Sequence, residues 1–254
     1  MLLAIDVGNT DIVFGVFQGQ HLIGTWRVSS NLRKTSDEYG VLIRQILNTK
    51  TISPASVNGV IISSVVPPLT SVFQEMSVKH FSIKPMIVSE SIDTGLRIEY
   101  AHPEEIGSDR IVNAAAAYHL YGGPALIIDL GTATTFCVVT EKGAYKGGAI
   151  APGMMLSAEA LYKHTAKLPK IQIAKPNRVI GNDTAMSMQS GIFFGYIGLI
   201  DEIVRRIHRE IDRETLVVAT GGLADLVAPE CRTVSKIRST LTLEGLMIIY
   251  NMNA

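Results

Sequence analysis

Two short turns carry the residues whose types and spacing suit phosphate chemistry. The first is Asp6-Val-Gly-Asn-Thr10, after an apolar run, and the second is Asp129-Leu-Gly-Thr-Ala-Thr134, after another. A glycine permits a tight turn whose backbone N–H groups converge on an anion, and Asn and Thr side chains add short donors. An aspartate at the strand end can hold hydrated Mg²⁺ against the same phosphates, as we expect of Asp6. One such turn alone is better explained as an ordinary polar hairpin, so the interpretation depends on the repetition.

The two turns form an internal repeat. Nearly half of the 254-residue chain separates their aspartates, and an apolar strand-like segment follows each turn. Repetition at this spacing predicts two similar α/β domains. We place them at residues 1–121 and 122–254, because Gly122-Gly-Pro124 breaks an alanine-rich helical segment there.

Three further segments bear on how these turns are positioned. Thr35 and Glu38 have capping-box spacing and predict a helix over residues 35–47. Residues 184–211 have a long helical pattern, in which three glycines allow close packing or a break. Residues 219–223, Ala-Thr-Gly-Gly-Leu, follow a predicted strand and allow a backbone to lie close to a nucleotide.

Composition excludes several classes of protein. Hydrophobic residues make up 47%, which excludes disorder, and 23 basic residues balance 23 acidic ones. A neutral chain gives no basic field for nucleic acid or an anionic membrane, so we expect neither as a partner. The longest apolar stretch, residues 191–200, is too short to span a bilayer. We expect no secretory signal peptide, because no basic segment stands before the apolar first strand. Two isolated cysteines fit a reducing compartment, so we expect a cytoplasmic protein.

The common phosphate-binding motifs are missing from the sequence. Neither GxxxxGK[ST] nor GxGxxG occurs, so the paired turns are the candidate phosphate site. The six histidines form no pair at ligand spacing.

The paired turns resemble those of the actin-like ATPase superfamily, in which nucleotide lies in a cleft between two duplicated ribonuclease-H-like α/β domains. Within it, the chain resembles the type III pantothenate kinases over essentially its whole length. The motifs that carry this resemblance, in order, are Asp6–Thr10, Tyr100-Ala-His-Pro103, Gly107-Ser-Asp-Arg110, Asp129–Thr134, Gly147-Gly-Ala-Ile-Ala-Pro-Gly153 and Asn182-Asp-Thr-Ala-Met186. One departure is Asp11, where the family more often has Asn. An extra carboxylate there weakens a phosphate contact or faces solvent.

The resemblance implies an enzyme that phosphorylates pantothenate at its 4′-hydroxyl with ATP, the first step of coenzyme A biosynthesis. It implies a homodimer that uses Mg²⁺ with ATP and a monovalent cation, K⁺ or NH₄⁺, bound by Asp129. Asp109 is the implied catalytic base. The residues implied for ATP are Asp6, Val7, Gly8, Asn9, Thr10, Asp11, Ile12, Val13 and Thr132. Those implied for pantothenate are Tyr100, Gly107, Ser108, Asp109, Arg110 and, across the dimer interface, Thr184.

Four of these residues have purely structural alternatives. These are a helix N-cap for Asp109, a surface ion pair with Glu104 or Glu105 for Arg110, a half-buried core position for Tyr100 and a helix N-cap for Thr184.

Three other functions stay open at this point. One is a kinase of another small alcohol or a sugar, which Arg110 disfavours because arginine suits a carboxylate substrate. Another is a regulatory protein that binds nucleotide without turnover. A filament-forming relative of actin is the third, although 254 residues leave little room for polymer contacts.

Overall fold

The computed structural model describes residues 1–89 and 91–254. The strands are β1 (Leu2–Val7), β2 (Asp11–Gln18), β3 (His21–Ser29), β4 (Gly59–Ser64), β5 (Met86–Ile87), β6 (Arg97–Ile98), β7 (Ala125–Leu130), β8 (Ala133–Val139), β9 (Ala144–Pro152), β10 (Leu216–Thr220) and β11 (Lys236–Ile237). The α-helices are α1 (Ser36–Thr49), α2 (Pro67–Phe81), α3 (Ser108–Tyr121), α4 (Met154–Lys163), α5 (Thr184–Glu210), α6 (Ala224–Val227) and α7 (Leu241–Asn253).

The two sheets share one topology. The first has the order β3-β2-β1-β4-β5, in which β1 pairs antiparallel with β2 and parallel with β4. The second has the order β9-β8-β7-β10-β11, extended at β9 by β6, and β7 again pairs antiparallel with the next strand and parallel with β10. This repeated mixed order confirms the predicted α/β class with duplicated ribonuclease-H-like domains.

The chain forms two compact units. The first comprises residues 1–96, 101–119 and 242–254, and the second comprises residues 97–100 and 120–241. Helix α7, which the division predicted at residue 122 assigns to the second domain, therefore packs with the first. The apolar side chains of α7, such as Leu246 and Ile249, are buried with Ala4 of β1 and Val112 of α3.

Helices cover both faces of the first sheet. Because strand side chains alternate between faces, Leu3 and Ile5 point to α1 and α2, whereas Leu2 and Ala4 point to α3 and α7. In the second unit, α5 covers one face of the sheet. That core includes Leu126 and Ile128 of β7 and Phe193, Tyr196, Ile200 and Val204 of α5.

The predicted helix signals are present in the structure. The Thr35 hydroxyl accepts from the Glu38 N–H at 3.3 Å, and the Glu38 carboxylate accepts from the Thr35 N–H at 2.8 Å, which confirms the capping box. Helix α5 runs unbroken from Thr184 to Glu210, so its glycines do not interrupt it. Pro67 begins α2 because a first-turn position needs no N–H donor.

Among the described residues, we find no helix both long enough and apolar enough to cross a membrane.

Candidate active site

The first phosphate-type turn joins β1 to β2 and is held by hydrogen bonds to the backbone of Gly8. The Gly8 N–H donates to the Asp11 carbonyl at 3.0 Å, and the Ser30 hydroxyl donates to the Gly8 carbonyl at 2.5 Å. A side chain at Gly8 would lie 2.9 Å from the Asp11 carbonyl oxygen, which explains the glycine. The Gly8 N–H therefore closes the turn, and the exposed tip consists of Asn9 and Thr10.

The apolar residues beside this turn serve the core. Val7 and Ile12 are fully buried against α1 and α2, and Val13 packs on the opposite face of the sheet. Their side chains face other protein atoms, so a contact with ATP here would use their main chain.

Asp11 forms an ion pair with Arg27 of β3. The Arg27 Nη1 lies 2.8 Å from the Asp11 Oδ2, and both side chains remain partly exposed. The extra carboxylate is thus neutralised by a neighbour. Sequence reasoning missed Arg27 because the contact follows from the pairing of Asp11 with Ser29 and Val13 with Arg27.

Asp6 stands at the carboxyl end of β1 beside the end of β4. It is the register partner of Ser63, and neighbours on parallel strands point to the same face. The buried Ser63 hydroxyl lies 3.0 Å from the Ser108 hydroxyl at the start of α3. Asp6 and the N-terminus of α3 are therefore on the same face and at the same edge of the first sheet.

Ser108 attaches this helix N-terminus to the sheet. Its hydroxyl accepts from the Ser64 N–H at 3.0 Å and lies 3.2 Å from the Ser64 carbonyl, to which it can donate. Sequence reasoning identified Ser108 but missed its β4 partners, because the three residues come together only when α3 packs on the sheet.

Asp109 lies inside the first turn of α3, so the N-cap alternative is wrong. The Gly107 carbonyl accepts from the N–H groups of Arg110 and Ile111 at 3.0 and 3.3 Å, which makes Gly107 the cap residue. The Asp109 Oδ1 accepts from the Arg110 N–H at 2.8 Å. A methyl group at Gly107 would lie 2.5 Å from the same Oδ1, so the carboxylate folds over the glycine.

Burial raises the pKa of the Asp109 carboxyl above its ordinary value, because desolvation disfavours the charged form. The Arg110 N–H bond and the Arg110 charge oppose this rise without cancelling it. A carboxylate with a raised pKa is a stronger base than an ordinary aspartate.

Arg110 is buried, with 7% of its surface exposed. This burial excludes the alternative of an ion pair at the surface. The guanidinium charge therefore lies within the first unit, next to the Asp109 carboxylate whose pKa it affects.

The second turn has the same plan in the other unit. Asp129 is the penultimate residue of β7 and is half-buried. The Gly131 N–H donates to the Ala133 carbonyl at 3.2 Å, and the exposed Thr132 accepts from the Gly153 N–H through its carbonyl at 3.1 Å. A side chain at Gly153 would overlap the Thr132 carbonyl, which explains that glycine of the sequence motif.

Tyr100 lies at the surface of the second unit. It is 37% exposed, and its ring meets Tyr145 at a centroid distance of 6.2 Å. The ring covers Gly147, where a methyl group would lie 2.7 Å from the Tyr100 Cε2. Tyr100 is therefore not a core tyrosine.

Thr184 is the exposed first residue of α5, and the cap of this helix is its neighbour. The Asp183 carboxylate accepts from the Met186 N–H at 2.7 Å. The N-cap alternative for Thr184 is therefore wrong, and the cap does not require its hydroxyl.

Across residues 1–89 and 91–254, no group of three or more His, Cys, Asp or Glu side chains is placed to hold a metal ion. Single carboxylates at strand ends, such as Asp6 and Asp129, fit a metal that takes its other ligands from phosphates and water. Both cysteines are buried free thiols.

Comparison with known proteins points to one family. The model of the type III pantothenate kinase family matches residues 2–206. Type III pantothenate kinases of Halalkalibacterium halodurans and Geobacter sulfurreducens are each 49% identical over 253 residues, covering all of this chain and 100% and 99% of those proteins.

One solved structure illustrates the fold likeness. It is a Campylobacter jejuni protein provisionally assigned to the Baf family of transcriptional activators. It superposes with a TM-score of 0.61 at 18% identity, covering 99% of this chain and 98% of that one. The family model and the two relatives at 49% identity show that the chain belongs to the type III pantothenate kinases.

Proposed function

We propose that this chain transfers the γ-phosphoryl group of ATP to the 4′-hydroxyl of pantothenate, the first step of coenzyme A biosynthesis, with Asp109 as the base. Membership of the family supports the reaction. The observation that carries the choice of base is the Asp109 carboxylate. It is held over Gly107 by the Arg110 N–H and is half-buried at the start of a helix fixed to the sheet.

In the proposed reaction the pantothenate oxygen attacks the γ-phosphorus as the bond to ADP breaks. The hydroxyl proton passes to Asp109. Since Oδ1 accepts from the Arg110 N–H, Oδ2 is the oxygen that takes the proton. Phosphoryl transfer has a loose transition state, so the proton leaves late and positioning dominates. The raised pKa of Asp109 helps the carboxylate accept that proton.

The remaining contacts with pantothenate are proposed for residues that precede α3 or lie in its first turn. The planar Arg110 fork matches the pantothenate carboxylate in a bidentate contact. Tyr100 packs on the pantoyl part, and Gly107 contributes backbone contacts. The Ser108 hydroxyl is engaged with β4, so its part is chiefly to hold α3 in place.

ATP is proposed to bind at the two turns. Residues 6–13 and Thr132 contact the phosphates, chiefly through the main chain and the exposed tip side chains Asn9 and Thr10. Asp6, a hard oxygen ligand at the sheet edge, would hold Mg²⁺ together with phosphate oxygens and water. Bound with ATP, Mg²⁺ neutralises the charge of the phosphates. Asp129 binds a monovalent cation, K⁺ or NH₄⁺.

A homodimer is proposed through α5. Gly191, Gly195 and Gly198 share one exposed face, and a methyl group at each would meet nothing within 4 Å. Such a face lets the backbone of a second helix come close. Ile180, which precedes the helix, is 82% exposed, and burial of such side chains favours association. Thr184 begins the same helix, so this dimer would present it to the second protomer.

A cytoplasmic location is proposed from the chemistry. ATP is the donor, and the free thiols Cys137 and Cys231 suit a reducing compartment.

The first test is ADP release by the purified protein with Mg-ATP, with and without pantothenate, in K⁺ and then in tetramethylammonium buffer. Asp109→Asn removes the base, and Asp225→Asn changes an exposed aspartate of the short helix α6 as a matched control. We expect pantothenate-dependent release that needs K⁺. It should be lost in Asp109→Asn and retained in Asp225→Asn.

Two results would contradict the proposed reaction, and a third would contradict the proposed base. Release that a sugar or another alcohol stimulates and pantothenate does not would assign a different acceptor. ATP binding without any acceptor-dependent release would indicate a regulatory protein. Full activity of Asp109→Asn would remove the assigned base while leaving the reaction in place.

A further inference from the structure

A buried hydroxyl at the end of β10 has no hydrogen-bond partner in the protein. Thr220, the last residue of that strand, is 1% exposed. Within the part of the chain that the structure describes, its Oγ1 is the single buried side-chain oxygen or nitrogen without a partner. A buried hydroxyl without a partner loses its hydration and gains no hydrogen bond in return, so a partner from outside the chain is favoured here.

Thr220 stands next to Asp129. The two are register partners on the parallel strands β10 and β7, and Thr135 of β8 is the register partner of Asp129 on its other side. Partners in adjacent strands point to the same face, about 4.8 Å apart. Leu126 and Ile128 point to the α5 core, so Asp129 and its two neighbours point to the opposite face. The Thr220 hydroxyl, the Asp129 carboxylate and the Thr135 hydroxyl thus form one row on that face.

Glycines lie beside the Asp129 carboxylate on two sides. A side chain at Gly221 would collide with the Asp129 Oδ1 and lie 2.6 Å from the Leu130 nitrogen. Gly221 also has a φ of +95°, which disfavours other residues. A methyl group at Gly131 would lie 3.5 Å from the same Oδ1. The carboxylate oxygen therefore leans toward β10, the strand that carries the unpaired hydroxyl.

We infer that the Thr220 hydroxyl is a ligand of the monovalent cation, together with Asp129. The inference rests on the cation dependence proposed above. One carboxylate and neutral hydroxyl oxygens supply a single negative charge, which suits a monovalent cation. A divalent cation commonly gathers more carboxylates. An anion at this place would face the Asp129 carboxylate and be repelled, so the row of oxygens selects a cation.

The test is the thermal stability of the protein with Mg-ADP as KCl replaces tetramethylammonium chloride at constant ionic strength. Thr220→Val keeps the shape and removes the hydroxyl, whereas Thr220→Ser keeps the hydroxyl. We expect the half-saturating K⁺ concentration to rise about tenfold or more in Thr220→Val and to stay near wild type in Thr220→Ser. Without K⁺, Thr220→Val should be at least as stable as wild type, because valine leaves no unpaired hydroxyl.

A second readout is the broadening of the ²⁰⁵Tl⁺ resonance in nitrate buffer, which reports binding of a K⁺ mimic without reference to stability. Asp129→Asn, which should lose the response, is the positive control. An unchanged response in Thr220→Val, or equal loss in the serine and valine variants, would overturn the role of Thr220 while leaving the cation dependence intact. A wild type that responds to neither ion would overturn both.

Discussion

Replacing Gly107 with alanine tests whether the position of the Asp109 carboxylate controls the rate. The new methyl group would lie 2.5 Å from the Asp109 Oδ1, and an ordinary contact begins near 3.4 Å. The carboxylate oxygen must therefore move by about 0.9 Å, because the atom that yields is the end of a flexible side chain. This movement lengthens its bond to the Arg110 N–H, now 2.8 Å.

The rate and the stability respond to this shift very differently. A misplacement of about 1 Å costs on the order of 100-fold in rate, so we expect kcat to fall by about that factor. Loss of one hydrogen bond costs about 1 kcal/mol, which lowers the Tm by only about 2–4 °C in a chain of this size. The KM for ATP should not change, because the turn at Gly8 is untouched.

The assay is coupled ADP release at saturating pantothenate, with a thermal melt of the same sample. Gly122→Ala is the control. Its methyl group would meet nothing within 4 Å, and its φ of +76° introduces backbone strain away from the site residues. This control should lose stability and keep its kcat. A folded Gly107→Ala enzyme with a kcat within about threefold of wild type would refute the reasoning, since the carboxylate would then tolerate the shift.

Three more results are expected. Acidification should reduce kcat/KM through a titration above the ordinary aspartate pKa, because burial raises the pKa of Asp109 and the base works deprotonated; a pH profile with its acid limb at or below the ordinary value would contradict this. Gly147→Ala should raise the KM for pantothenate about tenfold and leave that for ATP unchanged, because its methyl group would lie 2.7 Å from the Tyr100 ring. Gly122→Ala is the control, because it has the same left-handed backbone conformation without such a contact. Equal effects of Gly147→Ala on the KM values for pantothenate and ATP would refute a positioning role for Tyr100. Gly195→Leu should yield a folded monomer in sedimentation equilibrium, since the position is open in the single chain, and a persistent dimer would remove α5 from the interface.

Local features were readable in the sequence because short-range physics determines them. The capping box of Thr35 and Glu38 lies within one helical turn, and both strand–turn–strand segments depend on adjacent residues. Their repetition predicted duplicated domains before the common sheet order was known. The alternatives for Asp109 and Thr184 differed by one or two residues in the position of a helix cap. Only the hydrogen bonds accepted by the Gly107 carbonyl and by the Asp183 carboxylate distinguished them.

Contacts between distant segments were not readable. Arg27 neutralises Asp11 because of the register between β2 and β3, and Ser108 bonds Ser64 because α3 packs on the first sheet. No local pattern indicates that α7 packs with the first unit.

The sequence by itself determined the types of the site residues, the turns that carry them and the family to which the chain belongs. Residue type and local backbone preference are properties of a few neighbouring positions. The tertiary structure alone decided that the Thr220 hydroxyl is buried without a partner beside Asp129 and that the Asp109 carboxylate is desolvated over Gly107. Burial and strand register depend on which distant surfaces exclude water together, and no short stretch of sequence contains that information.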